Sequence, residues 1–208
     1  METKTIYFEN EGEANTDAAL AAARQRAKEL GIKTIVVAST RGNTAVKAVD
    51  VFQGLKVVIV THVYGSMEPN TSPFLDANRE IVEKKGGKIV TAAHAFGGIN
   101  GIFRPDMPRP AGGPPPGAGG PPPGPRPAPA PVPGEIIART LGVLCRGTKV
   151  IAEIAIMAAD SGQVRCDEEV IVIAGSSRGA DTAMVVQPAN SHRFFDLKIK
   201  EIICKPRT

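Results

Sequence analysis

Tryptophan is absent from the 208 residues, and all aromatics together make up only 4%. A core built from this chain must therefore rely on Val, Ile, Leu and Ala. Cysteine is scarce as well: Cys145, Cys166 and Cys204 are odd in number and show no CxxC spacing. That excludes a disulfide framework and a cysteine zinc site, and leaves a reduced, cytoplasmic protein as the expectation. No apolar run approaches the roughly 18–20 residues of a membrane helix, and the start METKTIYFENEGE lacks the basic and apolar regions of a signal peptide. Neither sign of charge dominates, with 25 basic and 21 acidic residues for a net +4. The basic residues are scattered and not interleaved with aromatics, which argues against nucleic acid while leaving a mild field for small anions. Three histidines without helical spacing or cysteine partners do not make a metal site.

What the chain has in excess is confined to one place. Fourteen of its eighteen prolines fall between Pro105 and Pro133. Residues 105–134 are almost wholly Pro, Gly and Ala, a composition that cannot bury enough apolar surface to offset its ordering entropy. They read as a disordered or polyproline-like insertion. The insertion divides one α/β domain into a first part, 1–104, and a second part, 135–208, neither of which has enough sheet and helix for a closed core alone.

Around the insertion the elements alternate. Thr5–Phe8 reads as a short strand. Asn15-Thr16 then precedes an apolar stripe at Leu20, Ala23, Ala27 and Leu30, and Gly31 is the stop. TIVVA (34–38), KVVIV (56–60) and KIVT (88–91) are β-branched runs of the kind buried on both faces of a parallel sheet. Ala45, Ala48, Val49 and Phe52 mark a helix between the first two, and Phe74, Ala77 and Ile81 mark one before the third. After the insertion, Ile137, Leu141 and Leu144 predict a helix, and VIAEIAIMAA (150–159) predicts a second one, apolar nearly all round and therefore buried. VIVIA (170–174), TAMVVQ (182–187) and KIKEIIC (198–204) complete the strands, and their close succession predicts an antiparallel edge. The expected fold is a three-layer α/β sandwich with a mostly parallel sheet.

Two loops carry the candidate chemistry. Ser39-Thr40-Arg41-Gly42-Asn43-Thr44 follows one strand and opens a helix, so that backbone N–H groups, hydroxyls and a helix N-terminus converge where a phosphate would sit. Arg41 adds a bidentate charged contact. The loop lacks both the NTPase and the dinucleotide glycine patterns, and a capped turn is its alternative reading. Gly175-Ser176-Ser177-Arg178-Gly179-Ala180-Asp181-Thr182 repeats the recipe after VIVIA, again with a plain turn as the alternative. In a doubly wound sheet both loops can face one crevice beyond the strand ends. His62 and His94 each follow a strand and are weak acid–base candidates, otherwise ordinary hydrogen-bonded loop histidines; His192 sits in a polar turn. Glu153 is isolated in an apolar helix, where a structural salt bridge or a solvent-facing slot is expected. Asp160 and Asp181 read either as binding a ligand hydroxyl or as capping a helix, with capping preferred for Asp160, while Cys145 and Cys204 read as core.

The stretch TIVVASTRGNTAVKAVDVFQGLKVVIVT resembles the C-terminal domain of pyruvate kinase, and so does EIAIMAADSGQVRCDEEVIVIAGSSRGADTAMVV. With Glu11-Gly12-Glu13-Ala14-Asn15-Thr16, Gly147-Thr148-Lys149 and Glu201-Ile202-Ile203-Cys204, the chain looks like a stand-alone, mostly archaeal family of pyruvate kinase C-terminal-like proteins. The resemblance implies the α/β fold and a ligand held at the two loops, which grip the phosphates of a sugar bisphosphate effector in some pyruvate kinases. Asn15 and Thr16 are possible further contacts. No counterpart of the catalytic barrel lies in these residues, so phosphoenolpyruvate chemistry is not implied. The expectation is a module that binds a small phosphorylated ligand, either flavin mononucleotide (FMN) or a sugar phosphate. The alternatives are an enzyme of unstated reaction on such a ligand, and an interaction protein whose Pro-rich loop docks a polyproline-binding partner. A homo-oligomer is possible; a nucleic-acid or membrane partner is not expected.

Overall fold

The computed structural model describes residues 2–98 and 132–207. The reading of residues 105–131 as a disordered insertion lies outside the described residues. Seven strands form one sheet in the order β1-β7-β6-β5-β2-β3-β4, with β1 Ile6–Phe8, β2 Thr34–Ala38, β3 Lys56–Thr61, β4 Lys88–Thr91, β5 Val170–Ala174, β6 Thr182–Gln187 and β7 Lys198–Pro206. Every pairing is parallel except the two made by β6, which runs against both β5 and β7. The sheet is thus mostly parallel, with its antiparallel part towards the β1 side.

Helices cover both faces, as alternation along the strands requires. Ile35 and Val37 of β2 and Ile171 and Ile173 of β5 point into a core shared with α1 (Thr16–Leu30), α2 (Asn43–Val51) and α3 (Asp76–Lys84). The alternate residues Val36, Val170 and Val172 point into a second core, filled by α5 (Arg146–Asp160). Residues 151–159 of α5 are all buried, as its apolar circumference predicts, and α4 (Pro133–Gly142) packs alongside. At roughly 1.5–3 kcal/mol for each large aliphatic side chain buried, these two layers supply most of the driving force. Cys145 and Cys204 lie in the interior, where burial pushes the Cys204 thiol up to about 12.

Several details differ from the sequence reading. The first strand begins at Ile6, not Thr5. The stripe Ile137, Leu141 and Leu144 overruns α4, which ends at Gly142 and leaves Leu144 half exposed. That helix also begins at Pro133, taking in two residues of the expected insertion, because a proline ring presets the dihedral of a first helical turn and its missing N–H is not needed there. In α3 the inward residue is Val82; Ile81 and Ala77 face outward. The helix is rotated to dock Asn78 on the first loop, so hydrophobicity alone misplaced its face.

The carboxyl ends of the six co-directional strands share one edge. At that edge the chain leaves β2 towards β3 and leaves β5 towards β6, in opposite directions. Adjacent strands whose connections diverge leave a crevice between them, the usual seat of ligands in open α/β sheets.

Candidate functional site

The crevice is a cavity of about 900 Å³ lined by both loops, by His62 and His94 after β3 and β4, and by the facing side of α4 and the start of α5. Ser39, Thr40, Arg41, Asn43 and Thr44 line it from the first loop, and Gly175, Ser176, Ser177, Arg178 and Gly179 from the second. The sequence-predicted loops therefore open into one space.

The first loop is rigid for identifiable reasons. Ala45 donates its N–H to Ser39 Oγ at 3.3 Å, and Ser39 donates its own to the Val60 carbonyl at 3.0 Å. The Ser39 hydroxyl is therefore already engaged in holding the turn, as the capped-turn reading expects. Gly42 has φ +96°, and a Cβ there would stand 2.5 Å from Asn78 Cβ and 2.9 Å from the Phe74 ring. No other residue type tolerates both the dihedral and the closeness. Asn78 Nδ2 donates to the Arg41 carbonyl at 2.9 Å and to Asn43 Oδ1 at 3.1 Å, tying α3 to the loop. The first-turn N–H groups of α2 have no intrahelical acceptors, and they lie beside this wall.

The second loop is bracketed from within. Asp181 is fully buried and accepts the N–H of Gly12 at 2.9 Å, that of Ser176 at 3.1 Å and the Thr182 hydroxyl at 2.7 Å. Thr182 packs against Gly147, where an added Cβ would come within 2.1 Å of its hydroxyl. Thr16 Oγ1 accepts the Ala180 N–H at 3.0 Å, and Asn15 donates its amide to the Asn10 carbonyl at 2.7 Å. Gly179, at φ +74°, passes so close to Thr16 and Glu13 that a side chain would collide with both. Asp181, Thr182 and Thr16 thus shape the loop rather than line the cavity, and Asn15 holds the turn before α1. Gly42 also contributes shape rather than surface. Their short polar chemistry reads the same in sequence whether it points at a ligand or at the backbone.

The cavity holds more charge than the sequence reading assigned. Lys149 and Glu153 pair on α5, Arg139 pairs with Glu135 on α4, and Arg146 also lines the wall. Among the described residues, no hydrogen bond or ion pair engages the guanidinium groups of Arg41, Arg146 or Arg178. The signal for Arg146 and Lys149 lay in the helix start. Two cations in a first turn oppose the helix dipole, a local conflict of the kind that marks functional positions. Starting the helix at Val150 hid it.

Glu153 occupies a structural salt bridge, one of its two expected settings. Its side chain is 4% exposed, with Oε1 accepting the Phe96 N–H at 3.1 Å and Oε2 shared between Lys149 and His94 Nδ1, the latter at 3.6 Å. Burial pushes its carboxyl up, but the His94 hydrogen bond and the Lys149 ammonium together outweigh burial and hold it at about 2. His94 meets His62 edge to face, ring centres 4.7 Å apart, and His62 Nδ1 lies 3.2 Å from Thr40 Oγ1. Burial and then the charge of His94 lower the pKa of His62. Elsewhere, Asp160 accepts the N–H of Ser191 at 3.0 Å and the Asn190 amide at 3.1 Å, capping the turn Ser191–Asp196, where His192 is exposed.

The family model of the pyruvate kinase alpha/beta domain matches residues 17–114. Over those residues the chain is similar to this domain family. In the described residues the match runs from α1 through β4, including the whole first loop, His62 and His94, and the second half completes the alpha/beta domain's sheet by placing β5 against β2. Among the described residues no helix is long and apolar enough to cross a membrane, and no group of three His, Cys, Asp or Glu is placed to hold a metal ion.

Proposed function

We propose that the cavity binds a small phosphorylated ligand, with its phosphate held between the first-turn amides of α2 and the guanidinium groups of Arg41 and Arg178. The observation that carries this reading is the meeting of both Arg-Gly loops in one cavity where the guanidinium groups of Arg41, Arg146 and Arg178 make no hydrogen bond or ion pair among the described residues. Three exposed guanidinium groups around one concavity repel one another, and an anion relieves that repulsion while accepting forked hydrogen bonds. A sugar phosphate fits better than FMN. The lining offers hydroxyls, imidazoles and charges for a polyhydroxylated body, and these outnumber the apolar residues Ala38, Val60, Ala138, Val150, Ile154 and Met157 that an isoalloxazine ring would pack on. The matched family is that of the alpha/beta domain alone, so phosphoenolpyruvate chemistry is no part of the proposal.

The test begins with an absorbance spectrum of the purified protein and mass spectrometry of whatever heating releases. A colourless protein releasing a sugar phosphate is the expected result; flavin bands would shift the assignment to FMN. Thermal-shift titration with phosphorylated sugars follows, in which Arg41→Ala and Arg178→Ala should each weaken the response at least tenfold without lowering the unliganded melting temperature. Equal responses in all three proteins would overturn the reading.

A further inference from the structure

His62 and His94 are the same residue type in direct contact, yet their surroundings differ. His94 Nδ1 faces the buried carboxylate of Glu153 at 3.6 Å, a carboxylate that Lys149 also contacts. Among the described residues no carboxylate forms a hydrogen bond or ion pair with His62; its Nδ1 is engaged by Thr40 Oγ1 at 3.2 Å, leaving the other ring nitrogen uncommitted. Both rings line the cavity, and Thr40 is the immediate neighbour of Arg41 in the anion loop. A ligand anchored there by its phosphate brings its first few carbons to the imidazoles. Two like groups in contact, one facing a buried carboxylate and the other a hydroxyl, are an arrangement from which enzymes draw a base and an acid at one pH.

Building on the binding reading above, we propose that His62 and His94 form an acid–base pair that isomerises the bound ligand, a phosphorylated hydroxy-aldehyde or hydroxy-ketone, by moving a proton between adjacent carbons. Neutral His62 removes the proton from the hydroxyl-bearing carbon next to the carbonyl. The C–H electron pair becomes the new C=C bond, and the carbonyl π pair passes to its oxygen, which takes a proton from His94. The resulting enediol then receives the His62 proton on the former carbonyl carbon, while His94 takes back a proton from the other hydroxyl. Both imidazoles end as they began, and no oxidant, reductant or metal enters. Glu153 is a positioning residue: anchored by the Phe96 N–H and Lys149, it orients the His94 ring through the contact with Nδ1.

The experiment incubates the full chain with ribose 5-phosphate, glucose 6-phosphate and dihydroxyacetone phosphate, separately, in deuterium oxide. Proton NMR follows loss of the proton beside the carbonyl and appearance of the isomer, and phosphorus NMR line width follows binding in the same tubes. At least one probe should bind and exchange. His62→Gly should lower exchange by about 100-fold or more while phosphorus broadening and the circular dichroism spectrum persist, and added imidazole should restore part of the rate. Glu153→Gln should lower exchange less and displace its pH profile, on which His62, His94, Glu153 and Lys149 all act. Binding without exchange would overturn this inference and leave the binding reading standing. Exchange undiminished in a folded His62→Gly protein would do the same. No broadening by any probe would remove both.

Discussion

The carboxylate of Asp181 accepts the backbone N–H of Gly12 at 2.9 Å, joining residues 169 positions apart. The same carboxylate holds the Ser176 N–H and the Thr182 hydroxyl, so one buried side chain fixes the second loop and the approach to α1 together. Asp181→Ala leaves these buried donors without acceptors, at about 1–3 kcal/mol for each that finds no water. Urea unfolding should show a loss of about 3–5 kcal/mol, and anion binding should weaken with it. A loss under about 1 kcal/mol would mean that water replaces the carboxylate at little cost.

Gly42→Ala sets a methyl group against Asn78 and Phe74 while demanding a left-handed dihedral. Overpacking and strain together should cost about 2–4 kcal/mol. The observable that separates this from a general loss of stability is ligand affinity. Moving α3 off the Arg41 carbonyl loosens the first loop, so binding should fall even at temperatures where the variant is fully folded.

Glu153 makes stability depend on acid. Its folded carboxyl sits at about 2, below the ordinary 4.5, so the stabilisation is complete above pH about 4.5 and is lost as pH falls towards 2. The linkage is worth about 3 kcal/mol. Chemical denaturation at pH 6, 4 and 2.5 should show that loss, and Glu153→Gln should flatten the low-pH slope. An unchanged slope in the variant would assign the acid sensitivity to other carboxylates.

Arg146 lines the cavity wall opposite to what its helix position favours, a cation in the first turn of α5. Arg146→Ala removes an unfavourable dipole interaction and should leave the melting temperature unchanged or slightly raised. Calorimetric titration with a sugar phosphate should nevertheless show affinity reduced about tenfold, with a weaker dependence on salt.

The fold was legible where the period was. Runs such as VVIV and VIVIA have one reading, and the 150–159 segment, apolar but for Glu153, could only be interior. Legibility failed where a polar contact sets the geometry. Asn78 rotates α3 away from its apolar stripe, Pro133 starts α4 inside a proline-rich run, and a first turn carrying Arg146 and Lys149 hid the true start of α5. In the site, sequence brought the two loops together but could not separate side chains that look into the cavity from those that look back into the protein. Asp181 and Thr182 turn inward, Arg41, Ser177 and Arg178 outward, and Ser39 lines the cavity while its hydroxyl also holds the turn, though all six belong to the same loop chemistry.

The position of β5 governs the order in which the chain can assemble. It lies at the middle of the sheet, beside β2, yet its residues are about 135 positions further along. Until they emerge from the ribosome, β2 stands as a bare edge of Ile35, Val36 and Val37, and α1 lacks three of the strands it covers. The first half therefore waits for the second, and β1, which pairs only with β7, waits longest. Closing so long a loop is slow but tolerant of length. The roughly 30 residues between Pro105 and Pro133 raise its closure entropy by only about 0.2 kcal/mol. A proline-rich stretch can thus occupy the interval between β4 and α4 with almost no effect on the stability of the sheet that closes around it.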